Sequence, residues 1–89
     1  MTKRVHIKIY GLVQGVSLRY YTKEKAEKLD LSGFIRNNLD STVELEAEGD
    51  EKTLQKLIDF IKIGPPLAQI DDLEIHYIEL KNTKGFIVE

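Results

Sequence analysis

The stretch VHIKIYGLVQGVSLRYY, residues 5–21, changes its hydrophobic period once, and that change decides the fold. Its first part alternates apolar with more polar residues, which is the period of a strand with one buried face. From Leu18 onward, apolar residues return every three or four positions and Lys and Glu fill the other positions, as in an amphipathic helix. The stretch therefore predicts a strand, a loop over residues 12–17 and a helix with Ser17 as its N-cap.

The rest of the chain continues the alternation of strand and helix signals. Strict alternation of apolar residues with glutamates after a turn predicts a hairpin, and Gly64-Pro65-Pro66 ends a second helical stripe. Asp50 is a good N-cap candidate for that helix. The expected elements are a strand from residue 34, a turn at 39–41, a strand over 43–48, a helix to residue 63, a strand over 73–77 and a short strand over 86–88.

This order predicts an α+β, ferredoxin-like split βαβ sandwich, with two helices packed on one face of a mostly antiparallel sheet of four to five strands. We expect the other sheet face to be solvated. Its expected members are His6, Lys8, Glu44, Glu46 and Glu48. Both histidines, His6 and His76, are interpreted as surface strand residues and not as metal ligands.

Composition bounds the class of protein. The chain has 89 residues, which predicts a single domain over 1–89, and we expect a monomer. Its 13 basic and 15 acidic side chains give a net charge of −2, so there is no electrostatic reason to expect nucleic acid or an anionic membrane as a partner. The absence of cysteine excludes a disulfide and a thiol nucleophile. Residues 1–11 contain no secretory signal or membrane span, which predicts a cytoplasmic location.

The loop between the first strand and helix has the chemistry of an anion site. Unpaired N–H groups point out of a helix N-terminus, and glycines such as Gly15 let backbone approach a ligand closely. Arg19 adds a planar set of donors suited to phosphate. The loop lacks the GxxxxGK[ST] pattern of a nucleotide-binding P-loop. Two plainer interpretations stay open: Arg19 is a solvated helix residue, and Asn37 and Asn38 are turn formers.

Three motifs together resemble the acylphosphatase family. They are GLVQGVSLR at residues 11–19, LSGFIRNNLDSTVELEAEG at 31–49 and GPP at 64–66 followed by an apolar strand. The family pattern runs G-x-V-Q-G-V-x-F-R, then an aromatic-V-x-N segment before a D-G turn, then GPxxA. The resemblance extends from Val5 to Val88 and implies a ferredoxin-like domain.

The resemblance also implies an activity and its residues. The activity is hydrolysis of the carboxyl-phosphate bond of an acyl phosphate, without metal, other cofactor or phosphoenzyme. Arg19 would bind the phosphoryl group and Asn37 would hold the attacking water. Inorganic phosphate would be product and inhibitor. The backbone amides that would surround the phosphoryl oxygens are those of Gln14, Gly15, Val16, Ser17 and Leu18.

Several residues depart from the family pattern. Leu18 stands where the family usually has Phe, and Asp30 and Ser41 stand where it usually has Gly. A positive φ at Ser41 would strain the turn. Of Tyr20 and Tyr21, we expect one to pack in the core and the other to border the site.

Two alternatives from other classes remain. One is a phosphate-binding version of the domain without turnover, as in the module at the start of larger carbamoyl-transfer proteins; the end of the chain at Glu89 argues against it. The other is a ferredoxin-like RNA-binding or regulatory domain. RNA binding calls for aromatic and basic residues on the open sheet face, whereas this chain places glutamates there.

Overall fold

A computed structural model describes residues 1–89 and contains five strands and two helices in the predicted order. The sheet order is β4-β1-β3-β2-β5, and every neighbouring pair is antiparallel except β2 and β5. The ferredoxin-like α+β prediction is therefore confirmed. The elements are β1 Thr2–Leu12, α1 Leu18–Lys28, β2 Ser32–Asn37, β3 Val43–Asp50, α2 Glu51–Ile63, β4 Gln69–Ile78 and β5 Phe86–Val88.

The core lies between one face of the sheet and the two helices. The alternating residues of β1 are fully buried and meet those of β3 across the antiparallel ladder, where Ile7 is the partner of Leu45. Burial of each such side chain stabilises the fold by roughly 1.5–3 kcal/mol. Helix α2 contributes a full stripe, whereas α1 buries only three residues. The α2 residues are Leu54, Leu57, Ile58 and Ile61; those of α1 are Leu18, Thr22 and Ala26.

The two predicted N-caps differ. Asp50 accepts a hydrogen bond from the N–H of Lys52 at 3.0 Å, which confirms it as the cap of α2. Ser17 occupies the N-cap position of α1, but its φ is 63° and its side chain makes no capping bond. The expectation of a Ser17 side-chain cap is wrong, because a residue in the left-handed region is outside the extended conformation that capping side chains need.

The prediction that the whole opposite sheet face is solvated is wrong for Glu46 and Glu48. Both are buried around Arg4, which is 1% exposed. Arg4 Nε donates to Glu46 Oε1 at 2.8 Å, and Arg4 Nη1 donates to Glu48 Oε1 at 3.1 Å. The β4–β5 connection, residues 79–85, joins strands at opposite sheet edges, and the contacts of Lys81 and Thr83 show that it crosses the sheet on this face.

That connection is attached directly to the buried carboxylates. The N–H of Lys81 donates to Glu48 at 2.8 Å, and its Nζ donates to Glu46 at 2.8 Å. The hydroxyl of Thr83 accepts from Arg4 Nη1 at 3.0 Å. Burial raises the pKa of Glu46, but the hydrogen bonds from Lys81 and Arg4 outweigh it and leave that pKa lowered. The Lys81 N–H chiefly lowers the pKa of Glu48.

Candidate active site

A cleft of about 520 Å³ opens where the β1–α1 loop, the end of β2 and β5 converge. Arg19 and Asn37 both line it, although they belong to different elements. Gly15, Ser17 and Leu18 of the predicted phosphate loop line it as well, whereas Gln14 and Val16 do not. The full lining is Val13, Gly15, Ser17, Leu18, Arg19, Tyr20, Asn37 and Val88.

The loop backbone has the conformation expected of an anion-binding turn. Gly15 has φ 75° and Ser17 has φ 63°, so left-handed residues alternate with others along the loop. Such alternation turns successive N–H groups toward one side. The first α-helical bond of α1 is from the N–H of Tyr21 to the carbonyl of Ser17, at 3.1 Å. The amides at the start of α1 therefore have no intrahelical acceptor and remain available to a ligand.

Gly11 lies near the end of β1, just before this loop, and its position requires glycine. The β1–β4 ladder shifts register between Tyr10 and Gly11, and Gly11 has φ 131°. A Cβ at this position would lie 2.0 Å from the carbonyl oxygen of Gln69. Only glycine permits this close approach of β1 to β4.

Arg19 is held by the main chain at the end of β5 and not by an Asp or Glu side chain. Its Nη1 donates to the main-chain oxygen of Glu89 at 2.5 Å, and the N–H of Glu89 donates to the carbonyl of Ile35. The end of β5 thus joins Arg19 to β2. No Asp or Glu side chain pairs with Arg19, so its remaining N–H groups are free to bind a ligand. Arg36, by contrast, pairs with Glu44 at 2.7 Å.

The two neighbouring asparagines have different surroundings: Asn38 is a turn former, whereas Asn37 is free to bind a ligand. Asn38 belongs to the turn: its Nδ2 donates to Thr42 Oγ1 at 3.0 Å and its N–H donates to the carbonyl of Thr42. The Asn37 side chain forms no hydrogen bond with protein and lines the cleft. Its amide can therefore both donate to and accept from a ligand or water.

Gln14 has a contact that the sequence did not indicate. Its Nε2 donates to the carbonyls of Asn38 and Thr42, at 2.8 and 2.9 Å. The side chain thereby joins the loop to the β2–β3 hairpin. The sequence shows only that a Gln precedes a loop glycine, and this does not indicate which groups its side chain binds.

The expectation that one of the two tyrosines packs in the core is wrong. Tyr20 and Tyr21 are both exposed, and their rings meet edge to face with centroids 5.7 Å apart. The next residue, Thr22, is the buried one on this turn of α1. Tyr20 borders the cleft as expected. Leu18, which stands in the usual Phe position, is buried beneath the loop.

The β2–β3 turn beside the site contains an ionised and well-bonded carboxylate. Asp40 accepts from the hydroxyl and the N–H of Thr42, and its Oδ2 lies 3.2 Å from Lys8 Nζ. These contacts, chiefly the two hydrogen bonds from Thr42, lower the pKa of Asp40 to about 2.

Two residues stand where the family usually has glycine, and both have a positive φ. Ser41 has φ 74° and Asp30 has φ 60°, so both are in the left-handed region.

No group of three or more His, Asp or Glu side chains is arranged to hold a metal ion. Neither helix combines the length and apolar character needed to cross a lipid bilayer.

Comparison with known proteins gives one consistent result. The family model of acylphosphatase matches residues 5–88. The chain is 46% identical over 81 residues to an acylphosphatase from Caldanaerobacter subterraneus subsp. tengcongensis, covering 91% of this chain and 90% of that one. The crystal structure of acylphosphatase from Bacillus subtilis superposes with a TM-score of 0.95 at 32% identity, covering 100% and 99% of the two chains.

A longer protein contains the same fold. The crystal structure of full-length HypF in its phosphate- and nucleotide-bound form superposes with a TM-score of 0.94 at 34% identity. That match covers 100% of this chain and 12% of the HypF chain. Because the family model spans nearly all of this sequence and the chain covers most of an acylphosphatase relative, this chain belongs to the acylphosphatase family.

Proposed function

We propose that residues 1–89 act as one acylphosphatase domain, which hydrolyses the carboxyl-phosphate bond of acyl phosphates to a carboxylate and inorganic phosphate. The observation that carries the proposal is the meeting of Arg19 and Asn37 in one cleft beside the β1–α1 loop. Family membership supports the same reaction. We expect the domain to act as a monomer.

The phosphoryl group binds in the loop. Arg19 donates to its oxygens with the N–H groups not used by Glu89, and its positive charge offsets the negative charge of the group. The free amides of the loop and of the first turn of α1 bind the remaining oxygens. The amides assigned to this role are those of Gln14, Gly15, Val16, Ser17 and Leu18.

Asn37 positions the water. Its side-chain oxygen accepts a hydrogen bond from the water, which then attacks phosphorus in line with the leaving carboxylate. The new P–O bond forms as the bond to the acyl oxygen breaks, and the two water protons pass to phosphate and solvent. A carboxylate is a good leaving group, so the reaction needs positioning and charge stabilisation more than a strong acid or a metal.

The test measures benzoyl phosphate hydrolysis in the presence of a chelator. Arg19→Ala and Asn37→Ala should each lower kcat by about 10²–10³, the usual cost of losing one transition-state donor. Arg36→Ala is the matched control, because Arg36 precedes Asn37 on β2 but pairs with Glu44. It should retain activity. Full activity in either cleft variant, with folding verified by circular dichroism, would contradict the assigned roles.

Inorganic phosphate provides a second readout. It fits the same loop as the transferred group, so it should inhibit wild type competitively and inhibit Arg19→Ala far more weakly. One alternative is phosphate binding by this domain without turnover; the full-length HypF that contains the same fold was solved in a phosphate-bound form. Competitive phosphate binding in a folded wild type that does not accelerate hydrolysis would support that alternative over the proposed reaction.

A further inference from the structure

The cleft has more volume and more apolar lining than a phosphoryl group requires. Its volume of about 520 Å³ is within the range of sites for small organic molecules. The loop, Arg19 and Asn37 account for its polar lining. Half of the lining residues are apolar or aromatic: Val13, Leu18, Tyr20 and Val88.

Burial separates these four residues into two groups. Val13 and Leu18 are at most 2% exposed and form the floor of the loop. Tyr20 is 63% exposed and Val88 is 38% exposed, so only these two present accessible apolar surface to a ligand. Tyr20 follows Arg19 directly, and Val88 precedes Glu89, the residue that holds Arg19. The accessible apolar surface is therefore attached to the same two segments as the phosphoryl-binding group.

The Tyr20 ring is supported from the helix side. The ring of Tyr21 meets it edge to face at an interplanar angle of 71°, and the Tyr20 hydroxyl lies 3.4 Å from Glu24 Oε2, one turn along α1. Edge-to-face contacts of this kind stabilise an aromatic pair. A supported ring loses less freedom when a ligand packs on it.

We propose that Tyr20 and Val88 form the acyl subsite and make this enzyme selective for aromatic or extended apolar acyl phosphates over acetyl phosphate. This inference rests on the proposed function. Tyr20 and Val88 line the same cleft as Arg19, so the acyl substituent of a phosphoryl group held by Arg19 can reach both. A phenyl or long alkyl substituent can cover the Tyr20 ring and Val88, whereas a methyl group is too small to cover both.

The experiment compares kcat/KM for benzoyl phosphate and acetyl phosphate in wild type and in Tyr20→Ala. We expect Tyr20→Ala to lower the benzoyl value about tenfold and the acetyl value less than about twofold, because only the larger group loses its contact. The intrinsic reactivities of the two substrates cancel in this ratio. Val88→Ala should shift the ratio in the same direction by a smaller factor, and it tests the subsite independently of Tyr20.

Two controls isolate the contact. Tyr20→Phe retains the ring and should keep the wild-type ratio. Tyr77→Ala removes a similarly exposed tyrosine on β4, at the sheet edge opposite β5, and should change kcat/KM for neither substrate. An unchanged ratio, or an equal fall for both substrates, in Tyr20→Ala and Val88→Ala would overturn the subsite while leaving the hydrolase intact. A wild type that hydrolyses neither substrate would instead overturn the proposed function, and this inference with it.

Discussion

Ser41 and Asp30 adopt backbone conformations that disfavour L-amino acids with a side chain. Their φ values are 74° and 60°, and neither is glycine. A residue with a Cβ costs roughly 1–2 kcal/mol in this region, less for Asp than for Ser, because short polar side chains such as that of Asp tolerate it. The suspected strain at Ser41 is thus present, and it is larger than at Asp30.

Replacing Ser41 by glycine should stabilise the protein. Relief of the left-handed conformation outweighs the greater freedom of glycine in the unfolded chain, for a net gain of about 1 kcal/mol. That gain corresponds to a rise in Tm of roughly 4–8 °C for a domain of this size. Differential scanning calorimetry measures it.

Ser41→Ala is the matched control, because it removes the hydroxyl but keeps the Cβ. It should not raise Tm. An equal rise in Ser41→Ala and Ser41→Gly would assign the effect to the hydroxyl and contradict an origin in backbone strain.

Local chemistry singled out Arg19, because a glycine loop before a helix N-terminus suggests an anion site without knowledge of the fold. Asn37 was singled out only by the resemblance to the family, since an Asn pair beside a turn is by itself typical of turn formers. The sequence did not reveal the Gln14 bonds to Asn38 and Thr42, since these depend on how the loop meets the hairpin. The exposure of both Tyr20 and Tyr21 likewise depends on the rotation of α1 against the sheet.

Among the elements, the β4–β5 connection shows most clearly what alternation cannot predict. The pattern of β3 placed Glu46 and Glu48 correctly on the face opposite the helices. Their burial follows from the register that sets Arg4 opposite Glu48, and from the passage of residues 79–85 over both. The alternation of residues in β3 predicts neither this register nor the segment that covers the face.

Removing the Arg4 guanidinium should destabilise the protein strongly. Arg4→Met keeps an unbranched apolar stem but leaves two buried carboxylates with fewer partners, which costs about 3–5 kcal/mol. Urea unfolding followed by circular dichroism measures the change. Hydrogen exchange should also show faster exchange at Lys81 and Asn82, whose N–H groups donate to Glu48.

Arg36→Met provides the comparison for Arg4→Met. Arg36 is on the same β-sheet and also pairs with a β3 glutamate, but it is exposed, so solvent screens the pair. The substitution should change the free energy of unfolding very little. Similar losses in the two variants would show that burial is not what makes the Arg4 cluster stabilising.

Across the protein, the carboxylates determine how the free energy of unfolding changes in acid. Hydrogen bonds with His6, Lys81 and Thr42 contribute to lowered pKa values at Glu44, Glu46, Glu48 and Asp40. A group whose pKa is lower in the folded protein stabilises it fully above the unfolded pKa, which is about 4. The contribution is lost as pH falls through the folded pKa. The free energy of unfolding should therefore fall steadily below about pH 4.

Asp40→Asn tests one member of this set. The folded pKa of Asp40 is about 2, so its contribution should be complete at neutral pH and disappear between about pH 4 and pH 2. The variant should be less stable than wild type at pH 7, and the difference should close as pH approaches 2. Urea unfolding at a series of pH values measures both curves. A difference that stays constant across the range would mean that Asp40 acts through the shape of its hydrogen bonds with Thr42 and not through its charge.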